Sequence, residues 1–311
     1  MILRRIFSPV KVAQYLRTEL TLTLVASLGV YWLHREGFTQ AGLPFSIAAI
    51  LGSALAIFVA FRNNSAYARW WEARTIWGSI INNSRIFARQ IIANADNAAA
   101  TGKATPEQAQ AYKRELVYRQ IAYAHTLRQH LRRQNEPAEY RHLLAGDEME
   151  NLLQRQNIPN MLLHTQGIRI KEGMRAEILG QFDNISLEPT LSGFNNFQGA
   201  CERIKNTPLL RQYDFFTRLF LIVFILLLPF CLIGDFAKME LAPLMPAISI
   251  LISFVFATMG KVGEVNEDPF ENRITDVPLT ALCNTIERDL REMLGETDLP
   301  EKMTPKDGYL F

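Results

Sequence analysis

Four carboxylates, Glu264, Glu267, Asp268 and Glu271, stand within two helical turns of one another just past the last apolar stretch of the chain. Oxygen ligands of this kind suit a hard cation. Their spacing matches no calcium loop, so a solvated helix end is the plainer reading. Glu264, Glu267 and Asp268 are the metal candidates that a metal-dependent membrane enzyme would need. The five histidines, His34, His125, His130, His142 and His164, include no pair four residues apart and no HExxH. A phosphate-binding loop, a GxSxG elbow and a dinucleotide-binding glycine pattern are also missing. No enzymatic activity and no cofactor are expected.

A different chemistry belongs to uncharged residues. In the stretch SIAAILGSALAIFVAFRNNSAYARWWEAR, residues 46–74, Ile50, Ser53, Ile57 and Phe61 recur at spacings of three and four. At 100° per residue they fall on an arc of about 80°. Repeated around a symmetry axis, such a row forms a hydrophobic constriction that gates by dewetting. The small residues Ser46, Ala49, Ser53, Ala56 and Ala60 run beside it, as at close helix contacts. In a lone bundle the same row would be ordinary core.

The elements that hold this row are membrane helices. Residues 20–34, 37–61, 219–234 and 241–260 contain no Asp, Glu, Lys or Arg. About 20 apolar residues cross a bilayer, and shorter runs suffice when flanking residues such as Arg17, His34 and Arg218 snorkel or the helix is shielded. Four transmembrane helices are expected. Arg4, Arg5, Lys11 and Arg17 precede the first, and Arg62, Arg69, Arg74, Arg85 and Arg89 follow the second, while the short links carry little positive charge. Basic residues mark the cytoplasmic side, which places both termini and the large middle segment there. No secretory signal peptide is expected, since the first apolar run begins only at Leu20. The spans lack internal charges, unlike those of proton- or ion-coupled pumps. Pro229, Pro243 and Pro246 in or beside them need neighbours to repair lost hydrogen bonds, which a bundle of several copies would supply.

The organisation is therefore residues 1–61 with two spans, a helical cytosolic block over 62–218, two more spans over 219–260 and an acidic cytosolic tail over 261–311. The block carries 21 Lys and Arg against 15 Asp and Glu, the tail 6 against 12, so the two attract. Thr105-Pro106-Glu107-Gln108 reads as a helix start, and Leu116, Val117, Ile121, Ala124, Leu127 and Leu131 form one apolar stripe until Glu136-Pro137. Lys113, Arg114, Arg128, Arg132 and Arg133 lie mostly off the stripe and read as a solvated face, not a nucleic-acid surface. Further helices are expected around 147–156, 160–175 and 188–205. In the tail, Leu282, Ile286, Leu290 and Leu294 share one face that needs a partner. Cys201, Cys231 and Cys283 are scattered, with no disulfide or zinc pattern. Past the second span, Tyr67, Trp70, Trp71, Arg74 and Trp77 are read as one aromatic face, with Arg69 beside the indoles for cation–π contact.

Three segments together with the four-span layout resemble the bestrophins, in particular prokaryotic members of that channel family: FRNNSAYARWWEARTIWGSIINNSR, GACERIKNTPLLRQYDFFTRLFLIVFILLLPF and GKVGEVNEDPFENRITDVPLTALC. The resemblance implies an all-α homopentamer in the plasma (bacterial inner) membrane, with a central pathway lined by the second helix of each subunit and continued through a helical cytosolic vestibule. Carried over from the shared Arg69-Trp70-Trp71, the neck would be Ser53, Ile57 and Phe61. Ser53 replaces a bulkier apolar residue, and Ile50 is the other choice for that ring. A second constriction would fall among Ile178, Phe182 and Ile185, and the aromatic face with Arg69 and Arg74 would pack at subunit interfaces. The calcium-binding acidic run of animal members is replaced here by DPFENRITD, with Arg273 where an acid is expected, so calcium control is not implied. The expected function is passive passage of small monovalent ions, chloride by family, with a cation such as sodium the other choice. The competing reading is a membrane-anchored helical scaffold or sensor without a pore.

Overall fold

The computed structural model describes residues 1–3, 9–38 and 42–311, without the side chains of 9–11. Arg4, Arg5, the Lys11 side chain and residues 39–41 of the second apolar window lie outside the described residues. All regular structure among the described residues is helical: α1 Pro9–Tyr15, α2 Arg17–Arg35, α3 Phe45–Ala100, α4 Pro106–Arg132, α5 Gly146–Leu153, α6 Ile158–Arg175, α7 Asp183–Asn206, α8 Arg211–Lys238, α9 Met245–Asn266 and α10 Leu279–Met293. Two compact units result, one of Arg4–Arg69 with Pro208–Glu267, the other of Met1–Leu3, Trp70–Thr207 and Asp268–Phe311. Their boundaries fall beyond the apolar windows because α3, α8 and α9 continue past their uncharged stretches.

The first unit is built from α2, the start of α3, α8 and α9. Leu55, Val59, Phe224, Ile225 and Leu228 are among the side chains of its core. α2 packs against both α8 and α9. Thr23 and Ser27 of α2 and Ser249 of α9 are buried, and each hydroxyl donates to a carbonyl of its own helix, which satisfies it without water. Gly52 permits a close approach of α3, since a Cβ there would stand 3.3 Å from the Phe224 ring. Three helical stretches, Phe45–Ala100, Asp183–Lys238 and Ala242–Asn266, are long and apolar enough to cross a membrane. The first expected span is the 19-residue α2.

The second unit is organised around α4. Thr105 and Gln108 form the reciprocal capping box expected of its start. The helix ends at Arg132, with Arg133 in the left-handed conformation, one turn before Glu136-Pro137. The single apolar stripe is a correction: α4 is buried around most of its circumference from Leu116 to Leu131, because α6, α7 and α10 all pack on it. The solvated basic face holds for the exposed Arg114 and Arg133 and is corrected for Arg128 and Arg132. Arg128 is buried and paired with Glu139, and the partly buried Arg132 donates to Thr280 Oγ1 at 2.7 Å. Arg119 is buried too, bonding Glu148 through Nε and Nη2 at 2.7 Å each, with Glu115 at 2.8 Å. Such an arrangement meets the condition under which a buried charge is tolerated.

The amphipathic tail helix finds its partner here. Leu282, Ile286 and Leu290 of α10 are buried in the core that α4 supplies. Cys283 Sγ donates to Ala124 O at 3.3 Å, and burial pushes that thiol up to about 12. Polar partners also meet: His125 Nε2 lies 3.0 Å from Glu287 Oε2, Arg85 pairs with Asp289 at 2.5 Å, and Tyr118 donates to Glu296. Burial alone would raise the Glu287 carboxyl, but the His125 hydrogen bond, with Arg291 alongside, outweighs it and holds the group below the ordinary carboxylate value. A carboxyl depressed on folding stabilises above its unfolded pKa, and that contribution disappears as pH falls through the folded value. Acidification below about pH 4.5 should therefore loosen α10. The thermal midpoint of Glu287→Gln should fall less between pH 7 and pH 4 than that of the parent; equal falls would refute the assignment.

Candidate functional site

The start of α3 has two unlike walls. Ala48, Leu55 and Val59 are buried in the core of the first unit. On the other wall Ile50 is 71% exposed, Ile57 58% and Phe61 65%, with Ser53 exposed between them. Nothing in the sequence of α3 distinguishes these walls by polarity; the packing of the unit does. Ser53 Oγ donates to Ala49 O at 2.8 Å, so its proton is turned back onto the helix. The exposed wall therefore offers ions no charge, and its largest groups are Ile50, Ile57 and Phe61. An isolated soluble helix would not leave such a row in water, so this wall calls for lipid, a second copy, or a narrow pathway.

The second group of candidates divides. Phe182 and Ile185, at the start of α7, are 76% and 66% exposed, and the Ile185 amide donates to Phe182 O at 3.0 Å. Ile178 instead packs partly buried against the core of the second unit. The structure thus brings Phe182 and Ile185 together on one exposed turn and sets Ile178 apart.

The aromatic face of residues 67–77 also divides, and here the sequence reading is corrected. Trp77 is wholly buried in the core of the second unit, whereas Trp71 is 55% exposed and Tyr67 is exposed as well. At 100° per residue Trp77 lies about 120° around the helix from Trp71, too far to share its face. Trp70 packs against the same core and donates from Nε1 to Thr275 O at 3.0 Å. Arg69 and Arg74 are half-buried.

The acidic cluster is engaged by cations. Glu264 accepts from Lys261 at 2.8 Å and pairs with Arg218 at 3.3 Å, and Glu267 pairs with Arg62 at 3.2 Å. Among the described residues no group of three or more His, Cys, Asp or Glu side chains is placed to hold a metal ion. Asp268 belongs to the second unit, Glu264 and Glu267 to the first. The sequence reading missed Arg62 and its partner Asp214, which lie 2.6 Å apart. The only signal was an arginine placed directly after the last apolar residue of the span; its partners are too distant in sequence to be found from spacing.

A helical chain with this layout is a recognisable membrane-protein class. Residues 3–292 match the bacterial and fungal bestrophin family, and the chain belongs to that family. Escherichia coli K12 has a relative named voltage-dependent anion channel-forming protein YneE, 33% identical over 99% of this chain and 96% of its own. A Mesorhizobium japonicum protein of the same descriptive name, mll4386, is 31% identical over 86% of this chain and 79% of its own. Among solved structures, a bacterial bestrophin homologue from Klebsiella pneumoniae carrying a single substitution aligns with a TM-score of 0.81 and 29% identity, covering 92% of this chain and 98% of that one.

Proposed function

We propose that the chain is one subunit of a homopentameric channel that passes small monovalent ions, and that Ile57 and Phe61, with Ser53 or Ile50, form its neck. The observation that carries this reading is the exposed apolar wall of α3, a row of large side chains left uncovered in a helix whose other wall is core. Fivefold symmetry would set these walls around a common axis. The relatives named as anion channels favour chloride, and a neck without charge excludes neither sign by itself. In this reading α2 also crosses the membrane and brings the spans to four, both termini face the cytoplasm of a bacterial inner membrane, and Phe182 and Ile185 are the better candidates for a second constriction. Passage is passive, so no cofactor or catalytic residue is assigned.

The reversal potential of the purified protein in a planar bilayer under asymmetric NaCl tests this. A value near the chloride limit is expected. A value near the sodium limit would keep the channel and reverse its ion. Silence from both the parent and Ile57→Ala would discard the pore in favour of a membrane-anchored scaffold.

A further inference from the structure

The residue directly after Phe61 is a buried arginine. Its side chain is 5% exposed, lies inside the first unit, and reaches α8 and α9 at once. Arg62 Nη2 meets Asp214 Oδ1 of α8 at 2.6 Å and Glu267 Oε2 at the end of α9 at 3.2 Å, and Nη1 donates to Gly260 O at 3.4 Å. Asp214 is shared with Arg218 at 3.2 Å, and Arg218 continues to Glu264. With Lys261 on Glu264, the cluster pairs its cations and carboxylates evenly and presents no net sign to a permeating ion. It is therefore ill suited to attract ions and well suited to fix geometry.

A second grip lies beside it. Asn63 Nδ2 donates to Met259 O at 2.9 Å, while Asn63 Oδ1 is buried without a partner and occupies the space a Cβ on Gly263 would need. Two successive residues of α3 are thus held by α9, one by charge and one by close approach. Their directions, taken with the buried Ala66 one turn on, set the rotation of α3 about its own axis. Phe61 is one residue away. A side chain reaches about 5–6 Å from a helix axis, so a 20° turn of α3 moves its tip by about 2 Å, enough to change a narrow hydrophobic aperture.

We infer that Arg62 is the positioning residue of the neck: clamped by Asp214 and Glu267, it fixes the rotation of α3 at Phe61 and so holds the constriction closed. This rests on the neck reading given above. Guanidinium geometry matters, because a lysine cannot span two carboxylates and a carbonyl in one plane.

The test records single-channel currents from the assembled protein, with size-exclusion chromatography to confirm that each variant assembles as the parent does. Arg62→Met should raise the open-to-closed ratio about tenfold and Arg62→Lys should raise it less. Gly263→Ala, which displaces Asn63 from the α9 side, should act in the same direction. On a Phe61→Ala background Arg62→Met should add nothing, a non-additivity that a purely structural role would not produce. Currents unchanged by Arg62→Met in assembled protein would overturn the inference, as would a full effect persisting on the Phe61→Ala background while the neck itself stands. If Phe61→Ala and Ile57→Ala do nothing, the neck reading fails instead and takes this inference with it. Should Arg62→Met not assemble, Arg62→Lys and Gly263→Ala decide, and parent-like currents from both would overturn it.

Discussion

Ile57→Ala and Phe61→Ala should each increase the current through the reconstituted protein, on the order of tenfold for Phe61 and less for Ile57. A hydrophobic neck opposes an ion because water leaves the constriction and the ion would have to shed its hydration. Each truncation removes apolar surface and widens the ring, which favours wetting. The same substitutions should cost the subunit little. Both side chains are exposed on the subunit, outside its core, and alanine is the better helix former at either position. A rise in current with an unchanged thermal midpoint is therefore the specific outcome. Parent-like currents in both variants would remove the neck assignment, whatever the ion carried.

The opposite pattern is expected six residues beyond the exposed Trp71. Trp77 is completely buried in the core of the second unit, which also holds Ile80, Phe87 and Ile121. Trp77→Ala should destabilise by about 3–5 kcal/mol, since the transfer energy of the indole is lost and a cavity is left that the surrounding helices cannot fill. Trp71→Ala, at a position 55% exposed, should cost roughly 1 kcal/mol or less. Thermal unfolding in detergent, followed by loss of the helical circular-dichroism signal, measures both. Similar losses would restore the single aromatic face read from the sequence.

These two residues mark where the sequence stops being legible. The Arg69-Trp70-Trp71 run, with the segments around it, identified the family, because residue identities alone carry that information. The tail helix was equally legible: a face of leucines and isoleucine at four-residue spacing demands burial, and α4 provides it. The helix start at Thr105 followed from capping chemistry, which is local.

The sequence by itself determined the helical class, the apolar segments, the acidic tail's attraction to a basic partner, and the arc carrying Ile50, Ser53, Ile57 and Phe61. Period and composition are properties of adjacent residues, so no folding is needed to read them. Only the tertiary structure decided which wall of α3 is covered, since the helix is apolar around its circumference there and its neighbours choose the face. It also moved Arg128 from a solvated face into the core and separated Ile178 from Phe182 and Ile185. The clamp on Arg62 belongs to the same class of fact. Its carboxylates lie on α8 and after α9, and only packing brings charges from such distant segments within 2.6 and 3.2 Å of one guanidinium.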